Sequence, residues 1–526
     1  MIRNDASTVI ERVHVKIATR QGLTTSALAA GLTACLAVAA LVVGATPAAA
    51  AACSAPVRYS TTSDTIYLTS GTAVDTLTEI KAACASAPLA QVAPGIWELN
   101  ADLVLQNGAT LNLDAAGDVK ELRLQSLPTG LLTDVAALTA QYGQINMTGV
   151  KVTSWTGTGA DTDPAVPAGG VRGRAFVRAL SVMEGATPRP STMNIVNSDL
   201  GFLGFNGAEA YGVAYKARGC GINAKNICDV LDVLGKQTGS TFHDNFMGTY
   251  TWGAKDILFD KNTYTHNVDY GLDPHDDSDY LTITGNTFSD NGNHGLICSQ
   301  RCDHLVIRGN KSLNNGQTPY VGPADDDPSD NQVHGIMLHR GITDSVVENN
   351  EVRGQTTGGG IVVFDSVGNT IANNTISGNK YGLRFSVGTK DTQVTGNKVT
   401  ASGENAVFAY KGTDAASYTG TSGRPTNITF RDNTFDGAGA DLFKVQDADK
   451  FTFTGGAVTP GAPARGPRFE RAQGNVYDRT VATPVGTTFT LRGTAAAPTS
   501  VAFQGIPATD VKVSKDTFSA ATFSSP

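Results

Sequence analysis

A repeat of 23 to 24 residues runs through the middle of the chain and constrains the fold more than any other feature. In each unit a short strand-like stretch ends in Gly-Asn or Asn-Asn, and the last Asn of each is Asn262, Asn286, Asn310, Asn350, Asn374 or Asn397. The successive spacings are 24, 24, 40, 24 and 23 residues, so one unit length explains all but one of them. The exception carries an insertion of about 16 residues around 316–331.

A second signal keeps register with the first, because an aromatic residue or His followed by Gly and apolar residues recurs once per unit. It occurs at Tyr211, Tyr270, His294, His334 and Tyr381. A unit of this kind cannot bury its apolar face alone, whereas stacked units bury it continuously and can form a ladder of Asn side chains. The pattern predicts an all-β chain folded as a parallel β-helix with coils of 23–24 residues.

Other repeat folds fit the sequence less well. A leucine-rich horseshoe requires an L-x-x-L-x-L pattern, and a β-propeller requires longer repeats with Trp-Asp signals. Both are missing, and so is the nonapeptide repeat of calcium-binding β-rolls.

The first 50 residues are predicted to be an export signal. A basic segment ends at Arg20, an apolar stretch covers 27–43, and small residues at 46–51 resemble a cleavage site. An uncleaved anchor, or lipid attachment at Cys35 or Cys53, are alternatives. We therefore expect a secreted, periplasmic or cell-surface protein that leaves the membrane after cleavage.

The remaining chain is predicted to contain three parts. Residues 51–170 would form an N-terminal cap and the first coils, with a short helix over 73–87 covering the open end. Residues 171–450 would form the β-helix core, and 451–526 further coils or a cap. A β-helix capped at both ends is expected to be a monomer.

Six of the seven cysteines follow the predicted signal, which is an even number in an exported chain and indicates disulfides. Pairing of neighbours is the simplest of the 15 possible connectivities. It joins Cys53 to Cys84, Cys220 to Cys228, and Cys298 to Cys302. None of these spacings is that of a zinc site, so no metal site is predicted.

The charge balance limits the partners of the protein. Lys and Arg number 40 against 48 Asp and Glu, and the formal net charge is −8. Binding to nucleic acid is therefore not expected. A polyanionic ligand would require a local basic groove, which the global charge neither shows nor excludes.

Candidate chemistry is concentrated where seven of the eight histidines lie, between His243 and His339. Strand alternation places Asp273 and His275 on one face. The repeat register puts His275, Ser299 and His339 in one outward column, about 4.8 Å apart per coil. Further candidates for this outer strip are Tyr270, Asp276, His294, Arg301, Arg340 and, more weakly, Lys216. His294 could equally be a stacking residue.

These residue types suit chemistry at C5 of a uronic acid. The C5 proton lies beside a carboxylate, so its removal requires neutralisation of that carboxylate, a base and an acid. Arg301, supported by Asp273, could neutralise the carboxylate, and His275 and Tyr270 could serve as base and acid on opposite faces of the sugar. Reprotonation on the opposite face gives epimerisation, whereas loss of the 4-linked sugar gives a lyase.

The segment Y-G-L-D-P-H-D-D-S at 270–278 resembles the Y-G-[FI]-D-P-H-[DE] signature of mannuronan (alginate) C5-epimerases of the periplasmic type. N-H-G-L-I-C-S-Q-R at 293–301 and 201–213 are similar too, and the likeness covers roughly 170–410. It implies a right-handed parallel β-helix that converts mannuronate to guluronate in polymannuronate.

The resemblance also implies roles for matched residues. His275 matches the catalytic His, Asp273 and Tyr270 match the motif Asp and Tyr, and Arg301 matches the Arg that neutralises the carboxylate. Asp277 departs from the Arg or Gln common after the motif, and Ser299 stands where the family has a second-coil Asp.

Three other functions compete with the epimerase. A polyuronate lyase would use nearly the same residues. A polygalacturonase-like hydrolase would use paired carboxylates, but the adjacent Asp276 and Asp277 point to opposite strand faces. A non-catalytic carbohydrate-binding or adhesion protein leaves the outer strip unexplained. No cofactor is required by the mechanism, although Ca²⁺ could assist polyuronate binding and the acidic run 325–327 could hold a cation.

Overall fold

Each repeat unit folds into one coil of short strands in the computed structural model of the protein. The structure describes residues 53–70, 74–126, 135–163, 173–318, 333–461 and 465–524. The predicted signal segment 1–50 and most of the insertion, with the acidic run 325–327, lie outside the described residues.

The first part of the described chain contains fourteen strands and one helix. In order they are β1 (Val57–Ser60), β2 (Thr65–Leu68), α1 (Leu77–Ala83), β3 (Leu89–Ala93), β4 (Ile96–Leu99), β5 (Asp102–Leu105), β6 (Ala109–Asp114), β7 (Glu121–Gln125), β8 (Ala137–Gln141), β9 (Gly143–Thr148), β10 (Lys151–Trp155), β11 (Phe176–Glu184), β12 (Thr187–Arg189), β13 (Thr192–Val196) and β14 (Asp199–Gly201).

The central part contains the coils with the clearest repeat. Its elements are β15 (Gly212–Ala217), α2 (Lys225–Cys228), β16 (Leu234–Thr238), β17 (Thr241–His243), β18 (Met247–Trp252), β19 (Leu258–Asp260), β20 (Thr263–Thr265), β21 (Leu272–His275), β22 (Thr282–Thr284), β23 (Thr287–Ser289), β24 (Leu296–Ser299), β25 (Val306–Arg308), β26 (Lys311–Leu313), β27 (Ile336–His339), β28 (Val346–Glu348), β29 (Glu351–Arg353), β30 (Gly359–Phe364), β31 (Thr370–Ala372), β32 (Thr375–Ser377), β33 (Tyr381–Ser386), β34 (Lys390–Thr395), β35 (Lys398–Ser402) and β36 (Asn405–Tyr410).

The last part adds strands to the same sheets. They are β37 (Thr426–Arg431), β38 (Thr434–Ala438), β39 (Phe443–Gln446), β40 (Asp449–Thr454), β41 (Ala457–Thr459), β42 (Arg468–Glu470), β43 (Asn475–Asp478), β44 (Thr487–Arg492), β45 (Thr499–Gln504), β46 (Val511–Lys515) and β47 (Ser519–Ser524). The sequence left open whether this region forms coils, a cap or a separate module, and its strands continue the coils. The predicted boundaries at 170 and 450 stay predictions.

Three long sheets run along the solenoid, and successive coils add one strand to each. The first sheet, which carries β18, β21, β24, β27 and β30, has 18 described strands, and the second and third have 14 and 15. Neighbouring strands from successive coils are parallel, as in the pairing of β21 with β24. Antiparallel pairs join β1 to β2, β3 to β4 and β11 to β12. The predicted parallel β-helix is confirmed.

The interior is a continuous column of aliphatic and aromatic side chains. Ile283, Ile307, Val347 and Ile371 occupy equivalent positions in successive coils, and all are fully buried. Burial of apolar surface stabilises the fold by about 25 cal/mol per Å². Because every coil buries its apolar residues only against its neighbours, the stacking itself creates the core.

The turn Asn residues form the predicted ladder inside the solenoid. Asn286 Nδ2 donates to Asn310 Oδ1 at 3.0 Å, and Asn310 Nδ2 donates in turn to Asn350 Oδ1 at 3.0 Å. The ladder runs from Asn262 to Asn433, and a second one joins Asn245, Asn267, Asn291 and Asn315. Each Asn also accepts a backbone N–H of the preceding coil, so the buried turns are hydrogen-bonded.

The N-terminal helix is shorter than the predicted 73–87. Helix α1 begins after Thr76, whose side chain and Glu79 form a capping box, and it ends at Ala83. Its buried residues Leu77 and Ile80 belong to the main core. Leu77 and Ile80, three residues apart on one face of α1, therefore pack the helix onto the first coils.

Two of the three predicted disulfides are present, and the third is wrong. Cys53 is bonded to Cys84 and Cys220 to Cys228. Cys298 and Cys302 are free and fully buried. Cys298 lies in an inward column of the first sheet opposite Leu338, so it serves as a small core residue.

Candidate functional site

One column of the first sheet carries the predicted chemistry. Trp252 lies opposite His275, His275 opposite Ser299, and Ser299 opposite His339. The column continues to Phe364, and on the other side Lys216 lies opposite Trp252. The predicted register of His275, Ser299 and His339 is therefore confirmed, and Lys216 shares the column from two coils away.

His275 is held at one ring nitrogen and open at the other. Its Nδ1 lies 2.5 Å from Asp276 Oδ2, and Nε2 has no hydrogen-bond partner among the described residues. The ring is stacked on Trp252 with centroids 5.4 Å apart. Burial lowers the pKa of His275, but the hydrogen bond to Asp276 and the nearby charge of Asp273 outweigh it, so the pKa lies above its ordinary value.

Asp273 is a buried carboxyl group on the same outer face. It is 2% exposed, and its Oδ1 has no hydrogen-bond partner among the described residues. Burial raises the pKa of Asp273 to about 7, although His275 opposes this. A buried acid with no donor around it is costly for stability and is typical of functional sites.

Arg301 is engaged by two carboxylates. It contacts Asp276 through Nη2, and its Nε and Nη2 donate to Asp277 at 3.2 and 2.9 Å. Its Nη1 is buried and has no hydrogen-bond partner among the described residues. The hydrogen bonds and negative charges outweigh burial and raise the pKa of Arg301. The guanidinium that the sequence assigned to a substrate carboxylate thus already has two protein counter-ions, because residues 276 and 277 turn toward it.

Tyr270, His294 and His334 form a stack at the start of three successive strands of the first sheet. Ring centroids lie 5.2 Å apart for Tyr270 and His294, and 5.1 Å for His294 and His334. His294 Nδ1 accepts the backbone N–H of His334, and burial lowers the pKa of His294 to about 4. These contacts are those of the stacking role that the sequence left open for His294.

A loop at residues 411–425 borders the column on the side of His339 and Arg340. Tyr418 and Thr419 donate backbone N–H groups to Asp365 at 3.1 and 3.0 Å. Arg340 is paired with Asp414 of this loop at 3.1 Å. Burial holds the pKa of His339 well below its ordinary value, so this imidazole is neutral.

The sequence missed the aromatic residues that precede His275 in the first sheet. Tyr250 lies opposite Asp273 and its ring centroid is 5.7 Å from that of His275. Trp252 separates His275 from Lys216, whose Nζ lies 4.5 Å from the indole centroid. Lys216 is also paired with Glu209 at 3.4 Å. The alternating sequence T-Y-T-W of β18 could have indicated an outward-facing aromatic pair. The coil before β18 is longer than the repeat because it contains the Cys220–Cys228 loop, so counting residues did not align β18 with β21.

The outer face is less exposed than the sequence indicated. Asp273 and Asp276 are buried, and Ile297, Met337, Val362 and Phe364 form a small apolar cluster beside them. In such surroundings charges interact more strongly than in water. The site can therefore hold one base, one acid and a charge-balanced guanidinium in a partly dry environment.

One group of potential metal ligands is present among the described residues. It consists of Cys220, Cys228 and Asp277. The two sulfur atoms are joined in a disulfide, which removes the thiolates that a metal would need.

Comparisons with known proteins agree with this architecture. The right handed beta helix region, a protein family, matches residues 213–322, 297–399 and 326–458. The mannuronan C5-epimerase of Pseudomonas aeruginosa is 30% identical over 195 residues, which are 37% of this chain and 32% of that protein. That of Pseudomonas putida is 27% identical over 303 residues, 57% of this chain and 46% of that protein. The chain spans less than half the length of these curated relatives.

Among solved structures, the periplasmic alginate epimerase AlgG superimposes with a TM-score of 0.57 at 20% sequence identity. The match covers 86% of this chain and 85% of that one, and it shows a shared fold. Fold and site together define a right-handed parallel β-helix protein with a buried Asp273 and a partly exposed His275 on the outer face of one sheet. This particular chain is similar in sequence to mannuronan C5-epimerases over part of its length, the likeness for which its Y-G-L-D-P-H-D-D-S segment was quoted.

Proposed function

We propose that the protein is an isomerase that converts β-D-mannuronate to α-L-guluronate residues in polymannuronate or alginate. The observation that carries the proposal is the buried Asp273 on the same face as the partly exposed His275, whose Nε2 is unbonded to the described residues. This pair lies within the Y-G-L-D-P-H-D-D-S segment, which resembles the signature of mannuronan C5-epimerases.

His275 is the proposed base. Asp276 fixes the Nδ1 side of the ring, so Nε2 is the atom that accepts a proton from C5. Because the pKa values of His275 and Asp273 are both raised, the two groups compete for one proton near neutral pH. The reactive form has neutral imidazole and protonated Asp273.

Protonated Asp273 supplies part of the charge neutralisation that the reaction needs. A carboxylic acid with a pKa of about 7 can donate a hydrogen bond to the carboxylate of the sugar, which lowers the barrier to removal of the C5 proton. Nη1 of Arg301 is the second donor in this proposal, since its other nitrogens are held by the two aspartates. In this proposal Asp273 takes a larger share of the neutralisation than the supporting role that the sequence gave it beside Arg301.

Tyr270 is the proposed acid on the opposite face of the sugar, and Tyr250 is a competing candidate because it lies opposite Asp273. Burial holds the pKa of Tyr250 well above its ordinary value, so its hydroxyl keeps its proton at neutral pH. Y270F and Y250F distinguish the two: the acid's variant should lose guluronate formation by about a hundredfold or more. The other variant should retain most of it.

Substrate contacts are proposed along the same column. Lys216 on one side, and His339 and Arg340 on the other, line the path that a polyuronate chain would follow across the first sheet. Asp276, which the sequence placed among the substrate contacts, is buried and holds His275 and Arg301 instead. His294 contributes by stacking beneath Tyr270. An acidic polysaccharide is the proposed partner, acted on by a monomer without a required cofactor, and calcium assistance stays an open proposal.

Export to the periplasm or cell surface is proposed from residues 1–50. Two described disulfides fit an oxidising compartment. No helix within the described ranges has the length and apolar character needed to cross a membrane.

Proton NMR of polymannuronate incubated with the protein tests the proposal. We expect guluronate signals with the wild type and none with His275→Ala. Unsaturated chain ends would instead show a lyase. Polymannuronate left unchanged would contradict the alginate assignment, and polygalacturonate and glucuronans would then be tested in the same assay.

A further inference from the structure

The His275 ring is the outermost member of a three-layer stack within one column of the first sheet. Lys216 Nζ lies over one face of the Trp252 indole at 4.5 Å, and His275 lies on the other face with an interplanar angle of 16°. These three residues are direct register partners on β15, β18 and β21. Strand pairing therefore makes these three positions neighbours, which brings their side chains into contact.

Trp252 is fixed at its far edge. Its Nε1 donates to the carbonyl oxygen of Cys220 at 2.8 Å. Gly221 lies beside the indole, since an added Cβ would make an ordinary van der Waals contact of 3.7 Å with Cζ2. An indole with its N–H satisfied and both faces covered has one orientation available.

The segment that accepts this hydrogen bond is closed by a disulfide. Cys220 and Cys228 are eight residues apart and bonded, and the loop between them contains helix α2. Leu231 and Ala217 pack with this loop and with Trp252 in a small apolar cluster. Sγ of Cys228 also lies 3.4 Å from Asp277 Oδ2, so the loop touches the carboxylate that holds Arg301.

We propose that Trp252 is a positioning residue that sets the plane of the His275 imidazole, and that the Cys220–Cys228 loop holds Trp252 in place. The inference rests on the proposed function. The bond from His275 Nδ1 to Asp276 fixes one edge of the ring but leaves it able to swing about that edge. The indole removes this freedom, and Nε2 is then kept facing the substrate path.

The indole also shields His275 from water. Without it, solvent would reach the imidazole, and the burial that now opposes its charged form would weaken. The charged or titratable groups that face His275 are Asp273, Asp276, Arg301, Tyr250 and His339. Lys216 lies on the far face of the indole and is paired with Glu209 at 3.4 Å, so its charge is balanced and loss of the shield against water sets the direction of the shift.

The test compares W252L with W252F in the full chain, with kcat/KM measured against pH. We expect W252L to lower kcat/KM about tenfold, the value of one lost aromatic contact with its orientation. The low-pH side of its kcat/KM profile, the acid limb, should also move to higher pH, because a more hydrated His275 stays protonated up to a higher pH. W252F retains a ring and should remain within about threefold of the wild type, with its acid limb unmoved.

F364L is the matched control, since it removes an aromatic ring from the same column at a position three coils from His275. Its acid limb should coincide with that of the wild type. A W252L profile with an unmoved acid limb would overturn the proposal. A shift in F364L equal to that in W252L would also overturn it.

Histidine ring NMR separates this inference from the proposed function. The His275 titration should move upward in W252L whether or not polymannuronate is a substrate, and an unmoved titration contradicts the positioning role. If W252L does not fold, C220S/C228S opens the loop instead, with C53S/C84S as control. The first pair should shift the His275 titration and the second should not; equal behaviour of the two pairs contradicts the role of the loop.

Discussion

The buried Asn ladders and the His275 column are built on the same coils but treat polar groups in opposite ways. Asn310 accepts two hydrogen bonds from Asn286 and donates two through Nδ2, to Asn350 and to the carbonyl of Ile283. Asp273 is as deeply buried and has a carboxyl oxygen without a partner among the described residues. The buried amides of the ladder are hydrogen-bonded and stabilise the fold. The buried carboxyl group of the column has this unbonded oxygen, which lowers stability but leaves the atom free to bind a ligand.

The same contrast separates two histidines. His243, on the second sheet, is bonded at both nitrogens, to Asp199 at 2.8 Å and to Asp244 at 2.7 Å. His275 is bonded at one. A fully bonded imidazole is a structural cation, and a half-bonded one can exchange a proton with a ligand.

Replacing Asp273 with Asn should produce the largest effect on the column. We expect guluronate formation to fall about a thousandfold, because an amide N–H donates a weaker hydrogen bond than a carboxylic acid and cannot exchange a proton with His275. Stability should move the other way. Since the folded pKa of about 7 exceeds the unfolded value, ionisation opposes folding, and the wild type should lose stability relative to D273N as pH rises from about 4 to 7.

Urea unfolding of the wild type and D273N at pH 4, 5.5 and 7.5 measures this difference. A gap that stays constant over this range would show that Asp273 ionises normally. It would also remove the contrast between the column and the ladder.

Replacing Asn310 with Ala should produce the largest loss of stability. It removes the bonds that the side chain of Asn310 makes to the carbonyl of Ile283, to Oδ1 of Asn350, and to the backbone N–H and Nδ2 of Asn286, while Asn286 Nδ2 keeps its bond to the carbonyl of Phe259. We expect a loss of about 3 kcal/mol in the free energy of unfolding. Asn226→Ala is the control, because Asn226 is exposed on α2 and its loss should cost less than about 0.5 kcal/mol. Equal midpoints in denaturant for the two variants would contradict the role of the ladder.

Replacing His243 with Gln should have the smallest effect. Its two carboxylate partners raise the pKa of His243 to about 9 despite burial. A raised folded pKa contributes stability that is complete below about pH 6.5 and disappears as pH rises through 9. Both carboxylates are half-exposed, so solvent screening limits the contribution to about 1 kcal/mol. The stabilities of wild type and H243Q should therefore converge between pH 7 and 10; parallel curves would show that the imidazole is neutral.

Local spacing was sufficient to predict the coils and the column. The Asn intervals fixed the coil length, and counting from the aromatic-Gly positions placed Ser299 and His339 correctly beside His275. Side chains alternate along a strand and repeat from coil to coil, so position in the sequence determines which residues are neighbours. The D-P-H segment could be recognised because one strand contains it.

Contacts made by residues that do not follow the repeat of 23 to 24 residues could not be predicted. Trp252 was missed because the chain between β15 and β18 contains the Cys220–Cys228 loop and departs from the repeat length. The pairing of Arg301 with Asp276 and Asp277 depends on turns in which all three residues have positive φ angles. The failed pairing of Cys298 with Cys302 has a similar origin, since proximity in sequence does not reveal that Cys298 faces the core.

The sequence by itself determined the solenoid, its register and the identity of the Asp-His pair, because each depends on periodic contacts between equivalent positions. Only the tertiary structure decided which polar groups are satisfied. Burial raises the pKa of Asp273 and the carboxylates occupy Arg301 through contacts between different coils and loops. Such contacts depend on distance and dehydration in three dimensions, for which the repeat has no signal.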